Sequence, residues 1–175
     1  MAKRIFYAAP ANWTATAANA QATSGQYMSI LGSSSTQVTD ILEVLISGMS
    51  TTSTLGSFQL VRQGTLGTGG ASALASPSSD GPANPATAAL ASTVTTAIAY
   101  VTNQVIPSNV TTDARLNLAL NTFGGIIRWN AAPTQQYTIS GNAAPGGACV
   151  LYNTSSTGVS GATAQANAHI IYETY

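Results

Sequence analysis

Apolar residues alternate with polar ones along several short stretches of this chain. In ARLNLALN (114–121), Leu116, Leu118 and Leu120 fall on one side and Asn117, Ala119 and Asn121 on the other. In SFQLVRQG (57–64), Phe58, Leu60 and Arg62 oppose Gln59, Val61 and Gln63. A period of two predicts half-buried antiparallel strands. VTDILEVLISG (38–48) is a near-continuous run of aliphatic and β-branched residues. Its DILEVLI core could form a short helix, but its length and the Ser, Thr and Gly on both sides favour a strand. The same reasoning predicts strands in IFYA (5–8), YMSIL (27–31), TVTTAIAYVTNQVI (93–106, broken at Pro107), IIRWN (126–130), QYTISG (136–141), ACVLYN (148–153) and AQANAHIIYET (164–174). Arg128 and Trp129 should point to opposite faces, and Pro133 should end their strand. GSSSTQ (32–37), MSTTSTLG (49–56), Gly124-Gly125, GNAAPGG (141–147) and TSSTGVSGAT (154–163) carry turn and loop chemistry.

About eight to ten short strands separated by turn signals point to an all-β protein. The expected architecture is a single antiparallel β-sandwich of jelly-roll type. Residues 1–26 should form an N-terminal arm with the first strand, and 27–175 the sandwich. Within it, 64–92 (GTLGTGGASALASPSSDGPANPATAALAS) reads as one long loop, rich in Gly, Ser and Ala and interrupted by Pro77, Pro82 and Pro85. In AHIIYET, Ala168, Ile170 and Tyr172 share one face and His169, Ile171 and Glu173 the other. A strand apolar on both faces is expected to be central in its sheet or covered by another subunit.

Composition adds a constraint. Only 6% of the 175 residues are charged and the formal net charge is zero, against about 25% charged in ordinary soluble domains. Hydrophobic residues reach 45%, so disorder is not indicated. A near-neutral surface resists association poorly, and the expectation is a surface occupied by neighbouring protein; a secreted or surface domain, often Thr/Ser-rich too, is the alternative, and composition alone does not choose between them. Lys3, Arg4, Arg62, Arg115 and Arg128 are scattered, which argues against nucleic acid as a partner. Cys149 is alone, so an intrachain disulfide scaffold is excluded; it reads as a buried strand residue. No apolar run approaches a membrane span. The opening apolar stretch is too short before Pro10 for a signal-peptide core, so synthesis in the cytoplasm is expected.

Candidate chemistry is sparse, and no cofactor or metal site is expected. His169 is the single imidazole, and a packed or interface role outweighs a catalytic one. Asp40 and Glu43, three apart in a strand, should face opposite ways, which removes them as a catalytic carboxylate pair. Asp80 and Asp113 read as turn formers. One His and one Cys give no zinc spacing. The run GTLGTGG (64–70) lacks the lysine and helix of a phosphate loop. Asn-x-Ser/Thr at Asn12, Asn109 and Asn153 arises by chance in so Ser/Thr-rich a chain. Trp13 and Trp129 could anchor a partner or stack on a sugar ring.

Four segments, MAKRIFYAA, SFQLVRQGTLGT, IIRWNAAPTQQYTISG and ANAHIIYETY, cover roughly half the chain. They resemble, in that order, small β-sandwich virion proteins of tailed bacteriophages, the head decoration and minor capsid proteins. The Pro-rich 71–89 region has no counterpart in that resemblance. The resemblance implies a non-enzymatic structural protein on the capsid exterior. Its expected partners are the major capsid protein and copies of itself, with a trimer favoured. The expected interface comprises Phe6, Tyr7, Trp13, Leu66, Leu74, Trp129, His169 and Tyr175. Residues 1–14 should be dispensable for folding and required for docking. Two other readings stand beside this one: a tail or fibre module binding a glycan near Trp129, and a small coat subunit that builds the shell itself.

Overall fold

The computed structural model describes residues 4–9, 24–31, 38–63, 71–74, 96–100, 110–140, 148–154 and 166–175. Among them are eleven strands and no helix: β1 (Arg4–Ala8), β2 (Ser24–Leu31), β3 (Val38–Gly48), β4 (Leu55–Gln63), β5 (Ala71–Leu74), β6 (Thr96–Tyr100), β7 (Val110–Asn121), β8 (Ile126–Asn130), β9 (Tyr137–Ser140), β10 (Ala148–Thr154) and β11 (Ala166–Thr174). All pairings are antiparallel. One sheet runs β1-β11-β3-β8, with β9 also on β3; the other runs β5-β6-β2-β10-β4-β7. Four of the pairs nest by position in the chain: β1 with β11, β2 with β10, β3 with β8 and β4 with β7.

The apolar alternation explains which faces meet. Phe6, Ile41, Val44, Ile46, Tyr137, Ile139, Ala168, Ile170 and Tyr172 come from the first sheet, and Ile30, Phe58, Leu60, Leu118 and Leu120 from the second; all are buried in one cluster. The faces expected for 57–64 and 114–121 are observed where side chains are described. Phe58 and Leu60 are buried, Leu118 and Leu120 are buried, and Asn117 and Ala119 are exposed. In β8, Ile127 and Trp129 pack against the cluster while Arg128 points the other way. Phe6 stacks on Tyr172, ring centroids 5.5 Å apart and planes inclined by 21°.

β11 is internal to its sheet, bonded to β1 on one side and to β3 on the other. Tyr175 continues the tie: its N–H donates to the Val38 carbonyl at 3.1 Å, and its carbonyl accepts from the Val38 N–H at 3.0 Å. Of the two expectations for a strand apolar on both faces, the central position is observed.

Several expectations need correction. The loop expected over 64–92 contains a strand, β5, paired with β6. Its ASAL sequence is too small-residued to announce itself, and cross-strand hydrogen bonds supply what side chains do not. β2 starts at Ser24 rather than at Tyr27, and β4 takes in Leu55 and Gly56 from the expected 49–56 loop. Residues 1–14, expected to be dispensable for folding, contain β1 and the buried Phe6. The rest of 64–92, and all of 10–23, 141–147 and 155–165, lies outside the described residues.

Removing the ring that joins β1 to the core tests the packing. Tyr172→Ala should lower unfolding free energy by about 3–5 kcal/mol, the cost of deleting a fully buried aromatic. A urea midpoint within experimental scatter of the parent's would contradict it.

Candidate functional site

Two features of the described residues stand apart from ordinary packing. The first is an ionic cluster on the face of the first sheet turned away from the core. It arises from an irregularity in β3. β11 residue Ile171 pairs with Glu43, yet the next residue, Tyr172, pairs with Ile41, so Leu42 is an extra residue on β3. A bulge of this kind resets the alternation. Ile41, Val44 and Ile46 all reach the core. Asp40 and Glu43 consequently share the outer face, which corrects the opposite-face expectation. Leu42 marks the place where β3 changes neighbours, with β9 against 38–41 and β8 against 43–47. The Leu42 carbonyl is not orphaned there, because the Ala131 N–H donates to it at 2.8 Å.

On that outer face His169 and Arg128 flank Leu45 in register, one on β11 and one on β8. Glu43 lies two residues along β3 and reaches both diagonally. Arg128 Nη2 donates to Glu43 Oε2 at 2.6 Å, and His169 Nε2 lies 3.1 Å from Oε1. An ionised carboxylate only accepts, so Nε2 carries the proton of that bond. The Arg128 hydrogen bond holds the Glu43 carboxyl below its ordinary value of 4.5; burial opposes the shift and His169 adds to it. Glu43 in turn raises the Arg128 pKa. Asp40 accepts a hydrogen bond from the Thr138 hydroxyl. Ser47 and His169 border one depression of about 200 Å³, and no hydrogen bond joins them. The carboxylate–imidazole pair thus has no positioned nucleophile among the described residues. Among them, too, no group of three His, Cys, Asp or Glu is arranged to hold a metal.

The second feature is a rigid corner that carries apolar side chains into solvent. The β3–β4 connection and the β7–β8 turn are bonded to each other through backbone: Gly48 N–H to Gly125 carbonyl at 2.7 Å, Ser50 N–H to Thr122 carbonyl at 2.9 Å, and Thr122 N–H to Thr54 carbonyl at 2.7 Å. The buried Thr122 hydroxyl donates to the Thr54 carbonyl at 2.9 Å. Its one proton being used there, the Ser50 hydroxyl, 2.7 Å away, must donate to it. The approach is close enough that a Cβ on Gly48 would stand 2.3 Å from the Thr122 carbonyl oxygen. The turn itself is set by Asn121, whose Oδ1 accepts from the Phe123 N–H at 3.0 Å, and by Gly124 at φ 75°. Met49 (42% exposed), Leu55 (51%), Phe123 (60%) and Ile126 (71%) each sit next to a residue of this network.

The residues expected at an interface are placed as follows. Phe6 is buried in the core and unavailable for docking. Tyr7 is exposed on β1. Trp129 is half-buried on β8, His169 is held by Glu43, and Tyr175 is backbone-bonded to Val38. Leu74 lies in β5. Trp13 and Leu66 lie outside the described residues. By register Tyr7 and His169 share the outer face of the first sheet, whereas Phe6 and Trp129 turn to the core side. Sequence reasoning missed Met49, Leu55, Phe123 and Ile126, which lie beside Gly48, Gly56 and the Gly124-Gly125 pair; single exposed apolar residues are ordinary, so the sequence offers no signal that marks them.

No protein family, curated protein or solved structure matches the chain.

The lowered Glu43 pKa fixes a pH dependence. A carboxyl with a folded pKa below its unfolded value stabilises the fold fully above about 4.5, and the contribution disappears as pH falls through the lowered folded value. Glu43→Gln should therefore be less stable than the parent at pH 6, with the gap closing as pH falls below 4.5. A gap independent of pH in urea titrations would show that the carboxylate's charge is not what stabilises.

Proposed function

We propose that this chain is a non-enzymatic structural protein of a virus particle, held in place by docking against neighbouring protein. What carries the reading is the rigid corner: four large apolar side chains held in solvent by a buried hydrogen-bond network, on a chain only 6% charged. An apolar surface on a neutral body associates readily, and ions buried at an interface without partners cost several kcal/mol each. The few charges described on the first sheet's outer face are already paired within the chain.

The fold is read as a jelly-roll sandwich. Its support is the nesting of β1 with β11, β2 with β10, β3 with β8 and β4 with β7, the pattern made when one long hairpin of strands is rolled into two facing layers, together with a hydrophobic cluster that draws on both sheets. β5, β6 and β9 are additions to that scheme. The resemblance to phage head decoration proteins favours a place on the capsid exterior against the major capsid protein, as a homo-oligomer with a trimer favoured. Weak individual contacts would be summed over symmetric copies. A second reading, a coat subunit that builds the shell itself, is favoured by the nested pairing, since double-sheet jelly rolls are common in capsids. It is an analogy of fold and carries no site.

The test uses purified particles. The double variant Phe123→Ser, Ile126→Ser changes only exposed side chains and should leave unfolding unchanged within about 0.5 kcal/mol. Its copy number per particle, measured by quantitative mass spectrometry against the main shell protein, should fall at least tenfold. Undiminished occupancy would remove the corner from the docking surface. Absence of the parent chain from every particle would remove the virion reading altogether. A copy number equal to the full shell would favour the coat subunit over decoration.

A further inference from the structure

A cleft of about 420 Å³ opens where the two sheets and the β8–β9 turn meet. Its apolar walls are Leu60 of β4 and Leu116 of β7, both on the core side of the second sheet. Trp129, half-buried and packed on the core, and the buried Tyr137 close it from the first sheet. Thr134, Gln135 and Gln136 form the lip. Volumes of this order are ordinary for small-molecule sites.

Three properties of the cleft point to one class of ligand. It presents indole surface, which takes the C–H face of a ring or another flat apolar group. The polar side chains of its lip are two primary amides and a hydroxyl, each able both to donate and to accept. Among the described residues none that lines it is charged, and Arg128 leaves β8 on the opposite side from Trp129. Among those residues an anionic ligand such as a nucleotide would find no counter-charge. A neutral molecule with one apolar face and a rim of hydroxyls satisfies all three properties.

The lip is also held in shape. The Gln135 N–H donates to the Ala132 carbonyl at 2.9 Å, closing a four-residue turn with Pro133 at its second position. Thr134, at the third, has φ 67°. That position in a turn with proline before it usually takes Gly or Asn, and a β-branched residue there is strained. Strain of this kind concentrates at binding sites. Here it places a hydroxyl-bearing side chain at the mouth of the cleft on a turn that proline makes stiff, which lowers the ordering cost of binding.

We propose that this cleft binds a neutral saccharide, one pyranose ring lying against Trp129 with its hydroxyls bonded to the Gln135 and Gln136 amides. The site is independent of the docking corner, and either can fail without the other.

The experiment titrates the full chain with glucose, galactose, mannose, N-acetylglucosamine and their β-1,4-linked disaccharides, with sialic acid and glucuronic acid as charged controls. The indole N–H resonance of Trp129, assigned by comparison with Trp13→Phe, is the readout. At least one neutral sugar should shift it saturably, and the charged controls should not. Gln136→Ala should weaken that binding about tenfold, the loss of a hydrogen bond of ordinary net strength, with the unfolding midpoint unchanged. Thr134→Gly should raise the unfolding midpoint and weaken binding. No saturable shift with any neutral sugar overturns the proposal. So does equal binding by Gln136→Ala, or a shift produced by proline-rich or aromatic peptides in place of sugars.

Discussion

The backbone ladder of β11 is the constraint on which the first sheet depends. With β1 on one side and β3 on the other, its N–H and C=O groups are satisfied where they would otherwise be exposed at an edge. It brings Ala168, Ile170 and Tyr172 to the core and His169 to the outer face. Its step past Leu42 turns Asp40 and Glu43 to one side. Fixing that strand fixes the packing of Phe6, the diagonal reach of Glu43 and the close of the chain against Val38.

The two sides of the molecule use polarity differently. On the outer face of the first sheet, Glu43 is shared between Arg128 and His169, and Asp40 is bonded to Thr138. Pairs of this kind contribute little stability where exposed, but they leave few ions to repel a neighbour. At the corner, polar groups are turned inward instead. Ser50, Thr122 and Thr54 bond one another beneath Met49, Leu55, Phe123 and Ile126. Ordinary surfaces put hydroxyls outside and aliphatic carbon inside. At this corner that order is inverted.

Much of the strand framework was legible in the sequence. VTDILEVLISG and IIRWN have the same limits in the structure as in the pattern, because dense β-branched residues bounded by Gly, Pro or small polar residues leave few alternatives. The alternation of Leu118 and Leu120 with Asn117 and Ala119 read correctly for the same reason. β5 was not legible, since Ala-Ser-Ala-Leu has neither bulk nor alternation and depends on β6 for its hydrogen bonds. The bulge at Leu42 was hidden because the apolar run DILEVLI looks the same from either face. The apolar corner was missed for a different reason. Its residues belong to turns, and strand periodicity says nothing about them; only the hydrogen bonds between two connections distant in sequence bring them together. The resemblance to phage proteins supplied an expectation of assembly but not the surface that would carry it.

The central claim is that this neutral body carries its apolar corner in order to be covered by other protein. Sedimentation velocity of the purified chain across a hundredfold range of concentration tests it most directly. The account predicts reversible self-association that grows with concentration, persists at high salt because it does not rest on ion pairs, and disappears in the Phe123→Ser, Ile126→Ser variant. A single monomeric species over the whole range, indifferent to those two substitutions, would contradict it.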